Sequence, residues 1–250
     1  MDFSDLYRKA IDHYFAFETE PYTVPNSIPI LYFGSLEAYK SSRIKIITVG
    51  LNPSDVESKE DRFRLEELRA CTPAQFERAV SDYFKFRPYS QWFDQAFEKL
   101  LRCLGVSYYG GHYPSKAPAW WRAQPNVALH TDIGSPLATS PTWSKLPRDV
   151  TERLQKIGFP IWREFVELLE PNLILISVAE RHLPLLGALS WRQLRIGAGS
   201  GTEPELRISK FGKSKIVWGR AQVRPFFFLR SEHLPLLAAV ILKELELSNE

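Results

Sequence analysis

An apolar run at residues 44–51, with the sequence IKIITVGL, constrains the fold of this chain more than any other segment. Its many isoleucine and valine residues and single charge predict a strand that is buried on both faces, as in parallel sheets. The run passes directly into GLNPS at residues 50–54, where Gly50 lets the backbone approach a ligand and Pro53 fixes a turn. The segment therefore predicts a strand that carries Asn52 at its carboxyl end, where open α/β sheets build their sites. An ordinary exit from strand to loop is the alternative.

Predicted helices and strands alternate along the rest of the chain. Helices are predicted at residues 3–17, 72–83, 92–104, 149–169, 179–186 and 236–247, strands at 126–132, 173–177 and 225–229, and a hairpin within 194–223. The helix at 149–169 is expected to be interrupted or bent near Gly158 and Pro160. This alternation predicts an α/β fold with three α/β/α layers around a central, mainly parallel sheet. We expect a single domain, in which a helical and proline-rich extension at residues 1–43 packs on a core at 44–250.

Composition narrows the class of protein. With 250 residues, 44% of them hydrophobic, the chain can bury a sizeable core. A formal net charge of only +3 does not require a nucleic-acid partner, but basic and aromatic residues alternate within residues 210–230. That segment predicts either a local phosphate-binding patch or a solvated hairpin face. The 2 cysteines lack metal-ligand spacing, and no apolar run is long enough to cross a bilayer. We therefore expect a cytoplasmic protein without a metal or a membrane partner.

Polar side chains follow three of the predicted strands. In a parallel sheet the carboxyl ends of these strands meet at one edge, so Asn52 would lie near two further groups of polar residues. The second group is His130, Thr131 and Asp132, and the third is Arg230, Ser231, Glu232 and His233. The phosphate-binding, dinucleotide-binding, nucleophile-elbow and zinc-hydrolase motifs are all absent from the sequence. Nucleotide hydrolysis, dinucleotide redox chemistry and zinc-dependent hydrolysis are accordingly disfavoured.

Together these three segments resemble the motifs of the uracil-DNA glycosylase superfamily. The turn Gly50, Leu51, Asn52, Pro53 and Ser54 is similar to the first motif, which positions the attacking water. The second group is similar to the strand that reads the edge of the flipped base. The last predicted strand and the segment from Arg230 to Pro235 stand where the superfamily places a loop that enters the minor groove, although the usual His-Pro-Ser pattern is missing. The resemblance extends over roughly residues 44–247.

The resemblance implies a uracil-DNA glycosylase-like fold and a monomeric enzyme that hydrolyses an N-glycosidic bond in duplex DNA without a cofactor. Asn52 would hold the water, Asp55 or Asp132 would supply negative potential near the sugar, and His233 would stabilise the departing base. Tyr89, or secondly Phe86, would stack on the extruded base; both could instead be core aromatics. His130 and Arg230 would contact phosphate or base, or His130 would be a core histidine. Leu234 is either a wedge that enters the duplex or the first apolar residue of the last helix.

Asp132 bears on the choice of base. An asparagine amide can donate to uracil O4, whereas an ionised carboxylate only accepts and therefore suits the N4 amino group of cytosine. If Asp132 reads the base, the preferred substrate is a cytosine derivative. A modified cytosine of phage DNA would spare the host genome, and the resemblance then implies a glycosylase of antiviral defence. The alternative for Asp132 is a cap on the segment that follows it.

Two other classes of function remain open from the sequence. One is a non-catalytic nucleic-acid-binding module of the same fold, because the third motif is degenerate. The other is a small-molecule hydrolase or transferase on a flavodoxin-like sheet, which would use the same polar strand ends but would have no affinity for DNA.

Overall fold

The computed structural model describes residues 2–54, 63–64, 70–85, 92–111, 122–197, 203–222 and 224–246. Its contacts divide the chain into two units, each built from three separate segments. The first unit comprises Met1–Ser35, Gly50–Pro88 and His130–Leu169. The second comprises Leu36–Val49, Tyr89–Leu129 and Glu170–Glu250.

The described residues contain eight strands and six α-helices. The strands are β1 (Ile46–Gly50), β2 (Val106–Ser107), β3 (Asn126–Val127), β4 (Leu129–Asp132), β5 (Leu173–Ile176), β6 (Arg192–Gln193), β7 (Leu206–Phe211) and β8 (Ser214–Gly219). The helices are α1 (Phe3–Phe17), α2 (Leu36–Ser41), α3 (Pro73–Ser81), α4 (Glu98–Cys103), α5 (Arg148–Leu169) and α6 (His233–Glu246). Short 3-10 helices lie at Tyr83–Lys85, Trp143–Lys145 and Glu180–Leu186, and a π-helical turn at Phe93–Phe97 precedes α4.

A six-stranded sheet in the order β4-β1-β5-β8-β7-β6 organises the fold. Strands β1, β5 and β8 are parallel neighbours, while β7 pairs antiparallel with β8 and with β6. Every residue of β1 and β5 is buried, as expected for central strands that are covered on both faces. The α/β class, the mainly parallel sheet and the strand that ends at Gly50 are therefore confirmed. No helix of the described residues is long and apolar enough to span a bilayer.

In the first unit, α1 packs against α5. The side chains of Asp2 and Asp5 form a capping box that begins α1. Across the helix pair, the rings of Phe3 and Phe165 meet edge to face with their centroids 5.9 Å apart. The N-terminal helix is thus part of the core of its unit.

The expected interruption of α5 is wrong, because the helix is continuous from Arg148 to Leu169 through both Gly158 and Pro160. A Cβ atom at Gly158 would lie 2.5 Å from the backbone oxygen of Gly134 and 2.7 Å from the Cα atom of Ser135. Glycine at this position therefore permits close packing of α5 against the segment that follows β4, and it does not end the helix.

The expected strand at residues 225–229 is also wrong, because this segment forms a turn. Phe226 has a φ of 47°, in the left-handed region, and the preceding Pro225 has no N–H for a sheet hydrogen bond. A Cβ atom at Gly219 would lie only 2.2 Å from the ring of Phe226, so glycine is needed there to leave room for the ring. The backbone N–H of Phe226 donates to the Ser177 hydroxyl at 2.9 Å. The strand that pairs with β5 is instead β8, which was expected only as part of a hairpin.

Candidate functional site

The segments that follow β1 and β4 lie side by side in the first unit. The N–H of Ile133 donates to the carbonyl oxygen of Gly50 at 3.1 Å, and that of Gly134 donates to Leu51 at 2.7 Å. Further along, Ser54 forms a parallel bridge with Thr139. The GLNPS turn and the residues after Asp132 are therefore brought together, as the sequence predicts.

The amide group of Asn52 is held in one orientation. Its Nδ2 atom donates to the carbonyl oxygen of Pro53 at 2.7 Å and to the Thr139 hydroxyl at 2.8 Å. A carbonyl oxygen can only accept, so the nitrogen, rather than the oxygen, must face Pro53. No described residue donates to the Oδ1 atom of this half-buried side chain. Asn52 therefore has a fixed acceptor that can bind a water molecule or a ligand.

Gly50 provides space for two buried side chains of β4. A Cβ atom at this position would lie 2.6 Å from Oδ1 of Asp132 and 3.2 Å from Nε2 of His130. These two atoms are themselves 3.7 Å apart, and both side chains are at most 5% exposed. The ring of Phe33 is stacked on His130 with a centroid distance of 6.2 Å. The end of β4 thus holds a carboxylate and an imidazole against the backbone of β1.

The hydroxyl groups of Thr131 within β4 and of Ser135 just beyond it are engaged in hydrogen bonds inside the unit. The Thr131 hydroxyl accepts a hydrogen bond from Nε1 of Trp162 on α5 at 3.0 Å, so its oxygen is already bonded inside the unit. Just beyond β4, the Ser135 hydroxyl lies 3.1 Å from Nε2 of His13 on α1 and accepts from the N–H of Leu137 at 3.1 Å. Burial lowers the pKa of His13 to about 4, so this imidazole is neutral near neutral pH.

Three residues to which the sequence interpretation gave no role at this site shape the region. Thr139 fixes the amide of Asn52, Gly158 permits the approach of α5, and Trp143 packs over Gly134, where a Cβ atom would lie 2.9 Å from the indole ring. Gly134 could have been noticed as a glycine near a strand end, whereas Gly158 was interpreted only as a place where the helix is interrupted or bent. Thr139 carried no signal in the sequence, since it is 87 residues from Asn52.

The third predicted group lies in the second unit, around the start of α6. Arg230 and Glu232 are exposed and 3.7 Å apart, and Ser231 is exposed beside them. The backbone N–H of Arg230 donates to Nδ1 of His233 at 3.3 Å, so a neutral His233 carries its proton on Nε2. Leu234 is half-buried, whereas Leu236, two residues further along α6, is 40% exposed.

The second unit also contains a fully buried carboxylate, that of Glu98 on α4. It accepts hydrogen bonds from the Ser107 hydroxyl at 2.6 Å, from the N–H of Tyr108 at 3.0 Å and from the Arg102 guanidinium at 3.2 Å. Burial raises the pKa of Glu98 to about 7, against the opposing effect of these donors. This network holds α4 to β2 and engages Arg102 internally.

Three predicted site residues, Asp55, Phe86 and Tyr89, lie outside the described residues. Within the described segments, no group of three or more His, Cys, Asp or Glu side chains is placed to hold a metal ion. Comparisons of the sequence with models of protein families and with curated proteins find no match. We therefore infer function from the side chains at the ends of β1 and β4.

Proposed function

We propose that this protein is a DNA glycosylase that hydrolyses the N-glycosidic bond of an extruded base and leaves an abasic site. The fixed amide of Asn52 is the observation that carries the proposal. Because Nδ2 is bonded to Pro53 and Thr139, its Oδ1 atom is left to accept a hydrogen bond from a water molecule. This acceptor stands after a buried strand, beside the segment that follows a buried carboxylate.

A site of this kind suits a reaction in which the C1′–N bond is largely broken before the water attacks. In the proposed reaction the C1′–N bond breaks, the base leaves with the electron pair, and the oxygen of the water bonds to C1′ of an oxocarbenium-like sugar. An amide oxygen orients water but is too weak a base to ionise it. A strongly electrophilic sugar does not need an ionised nucleophile, so orientation by Asn52 is sufficient. The proton lost by the water would pass to a carboxylate or to solvent.

Asp132 is the proposed recognition residue. Its side chain is 5% exposed, and its only described polar neighbour within ion-pair distance is His130 at 3.7 Å. An ionised carboxylate offers acceptors alone, which matches an exocyclic amino group and mismatches the O4 atom of uracil. The proposed substrate is therefore a modified cytosine, such as those in phage DNA, and the corresponding biological role is antiviral defence.

The proposal extends to the fold and to the second unit. The parallel order of β1, β5 and β8 is compatible with a three-layer, uracil-DNA glycosylase-like domain. His233 of the second unit carries its proton on Nε2 when the ring is neutral, and this N–H is the group through which it is predicted to act. His233→Ala should then slow excision without changing the affinity for an unmodified duplex.

Excision from a panel of duplexes tests the proposal. Each duplex carries one uracil, cytosine, 5-hydroxymethylcytosine or glucosylated cytosine, and abasic sites are detected by alkaline cleavage. Asn52→Ala is expected to abolish excision. Asp132→Asn gains a donor for O4 and should shift the preference from the cytosine derivatives toward uracil by at least 10-fold, the range that one good base contact supplies. Asp12→Asn, which changes an exposed carboxylate of α1, is the matched control and should leave both the excision activity and the base preference unchanged.

The outcome of this panel also separates the alternative functions. Tight duplex binding without excision of any base, together with binding that is unaffected by Asn52→Ala, would identify a non-catalytic nucleic-acid-binding module. Absence of duplex affinity would identify a protein that acts on small molecules. Efficient excision of uracil alone by the unmodified chain would refute the role of Asp132.

A further inference from the structure

Two clefts in the second unit flank Ser231 and Leu234 at the beginning of α6. The larger cleft has a volume of about 460 Å³, and its polar lining includes Lys99, Arg102, Arg122 and Gln124. The smaller cleft has a volume of about 160 Å³, and its lining includes Lys99, Arg224 and Arg230. Ser231 and Leu234, together with Lys99, line both clefts, so the clefts adjoin at these residues, which form their shared wall, or ridge.

The charge in these clefts has one sign. Among the described residues, three cationic side chains line each cleft, Lys99 is shared by both, and no acidic side chain lines either of them. Arg102 is already engaged, since its guanidinium bonds to Glu98 and to the carbonyl oxygen of Arg122. Arg230 has only an exposed contact with Glu232 at 3.7 Å, the kind of pair that contributes little in water.

Besides Arg230, three cations of the clefts are available for a ligand: Lys99, Arg122 and Arg224. None of the three has a carboxylate within ion-pair distance among the described residues. Lys99 belongs to α4, Arg122 precedes β3, and Arg224 precedes the turn of Phe226. Three separate segments thus direct unpaired positive charge to the two sides of one ridge.

The chemistry favours a polymer with repeated phosphates. Guanidinium groups bind phosphate oxygens through two parallel hydrogen bonds, and lysine adds a compact positive charge. A single small anion could occupy only one of the two clefts, whereas successive phosphates of a nucleic-acid strand can occupy both and pass over the ridge. We propose that Lys99, Arg122 and Arg224 bind the phosphate backbone of the nucleic acid on which the proposed glycosylase acts.

Salt dependence gives this proposal a quantitative test. Each phosphate that a duplex-binding protein neutralises contributes about −0.9 to the slope of log K against log salt concentration. Removal of all three cations should therefore make the slope less steep by about 2.7, and each single substitution should do so by about 0.9. A contact that merely supports the fold would lower affinity without changing the slope in this way.

The experiment measures fluorescence anisotropy of a labelled, unmodified duplex across a salt series from about 50 to 200 mM. The variants are Lys99→Gln, Arg122→Gln, Arg224→Gln and the triple substitution, each with its circular dichroism spectrum and unfolding temperature. Lys243→Gln is the matched control, because Lys243 is an exposed cation of the same α6 that lies ten residues, or about 15 Å along the axis, from His233. The control should retain the original slope.

Three results would overturn the proposal. One is an unchanged slope in the folded triple variant. A second is cation-dependent binding of inorganic triphosphate without affinity for the duplex, and the third is cation-dependent binding of phosphatidylserine vesicles without affinity for the duplex. Binding of single-stranded DNA whose slope falls by about 0.7 for each cation removed would also support the proposal.

This inference rests on the proposed function for its choice of polymer, but the two can fail separately. If the chain excises a base and the slope does not depend on the three cations, the phosphate contacts are wrong and the glycosylase remains. If the cations set the slope and no base of the panel is excised, the phosphate contacts remain and the glycosylase is wrong.

Discussion

Gly50→Ala is expected to reduce activity far more than stability. The added Cβ atom would lie 2.6 Å from Oδ1 of Asp132, whereas ordinary van der Waals contact begins at 3.4 Å. The carboxylate must therefore move by about 0.8 Å, the difference between these distances. A shift of about 1 Å in a positioned group can lower the rate by about 100-fold. We expect a loss of that size in single-turnover excision of the best modified-cytosine duplex.

The stability of the same variant is expected to change little. The atom that must move is the end of a side chain, so the cost should be near the lower end of the overpacking range, about 1 kcal/mol. For a chain of this length, that cost lowers the unfolding temperature by about 2–4 °C. Gly111→Ala is the matched control, because its Cβ atom would meet no heavy atom within 4 Å, and it should alter neither measurement.

Two outcomes would refute this reasoning. Normal excision by Gly50→Ala would show that the position of the Asp132 carboxylate does not matter for the reaction. Loss of cooperative unfolding would show that Gly50 is required by the packing of β1 rather than by the carboxylate beside it.

Two further predictions concern the surroundings of Asn52 and the core of the first unit. Thr139→Val removes the acceptor for Nδ2 of Asn52 and should lower the excision rate at least 10-fold at nearly unchanged substrate affinity, whereas Thr139→Ser should retain activity; equal rates for the two variants would contradict the proposed role. Burial lowers the pKa of His13 from 6.5 in the unfolded chain to about 4 in the folded protein. The stability that the neutral His13 ring contributes is therefore complete above the unfolded pKa and is lost as the pH falls through the folded pKa. Urea unfolding between about pH 7 and pH 4 should reveal a loss of about 3 kcal/mol that is absent in His13→Gln; an identical pH dependence in the variant would contradict this assignment.

The strand that ends at Gly50 could be predicted because its signals are local. The apolar run and the turn residues are contiguous, and β1 ends at Gly50 as the pattern indicates. The neighbouring position of the β4 segment follows from a general property of parallel sheets, whose carboxyl ends share one edge. Asn52 and the residues after Asp132 could therefore be associated before any contact was known.

The turn at residues 225–229 and the orientation of the Asn52 amide could not be predicted, because they depend on contacts between residues that are distant in the sequence. The run PFFFL has the composition of a buried strand, but a short apolar run does not distinguish a strand from a packed turn. The difference lies in Gly219, whose missing Cβ atom leaves room for the ring of Phe226. The hydrogen bond from Asn52 to Thr139 likewise joins distant residues. Sequence patterns thus identified the acceptor but not what orients it.

The anchoring of Phe226 determines how the exposed part of the loop between Phe226 and α6 could be altered. Its ring fills the space above Gly219 and meets Phe97 edge to face at 5.8 Å, and its N–H is bonded to Ser177. The exposed residues 230–232 thus lie between the packed turn that joins Phe226 to Leu229 and the beginning of α6. A segment held at both ends can exchange its sequence while the sheet keeps its own hydrogen bonds. Loop grafting between these two anchors is accordingly a route to a protein with the same scaffold and a different partner.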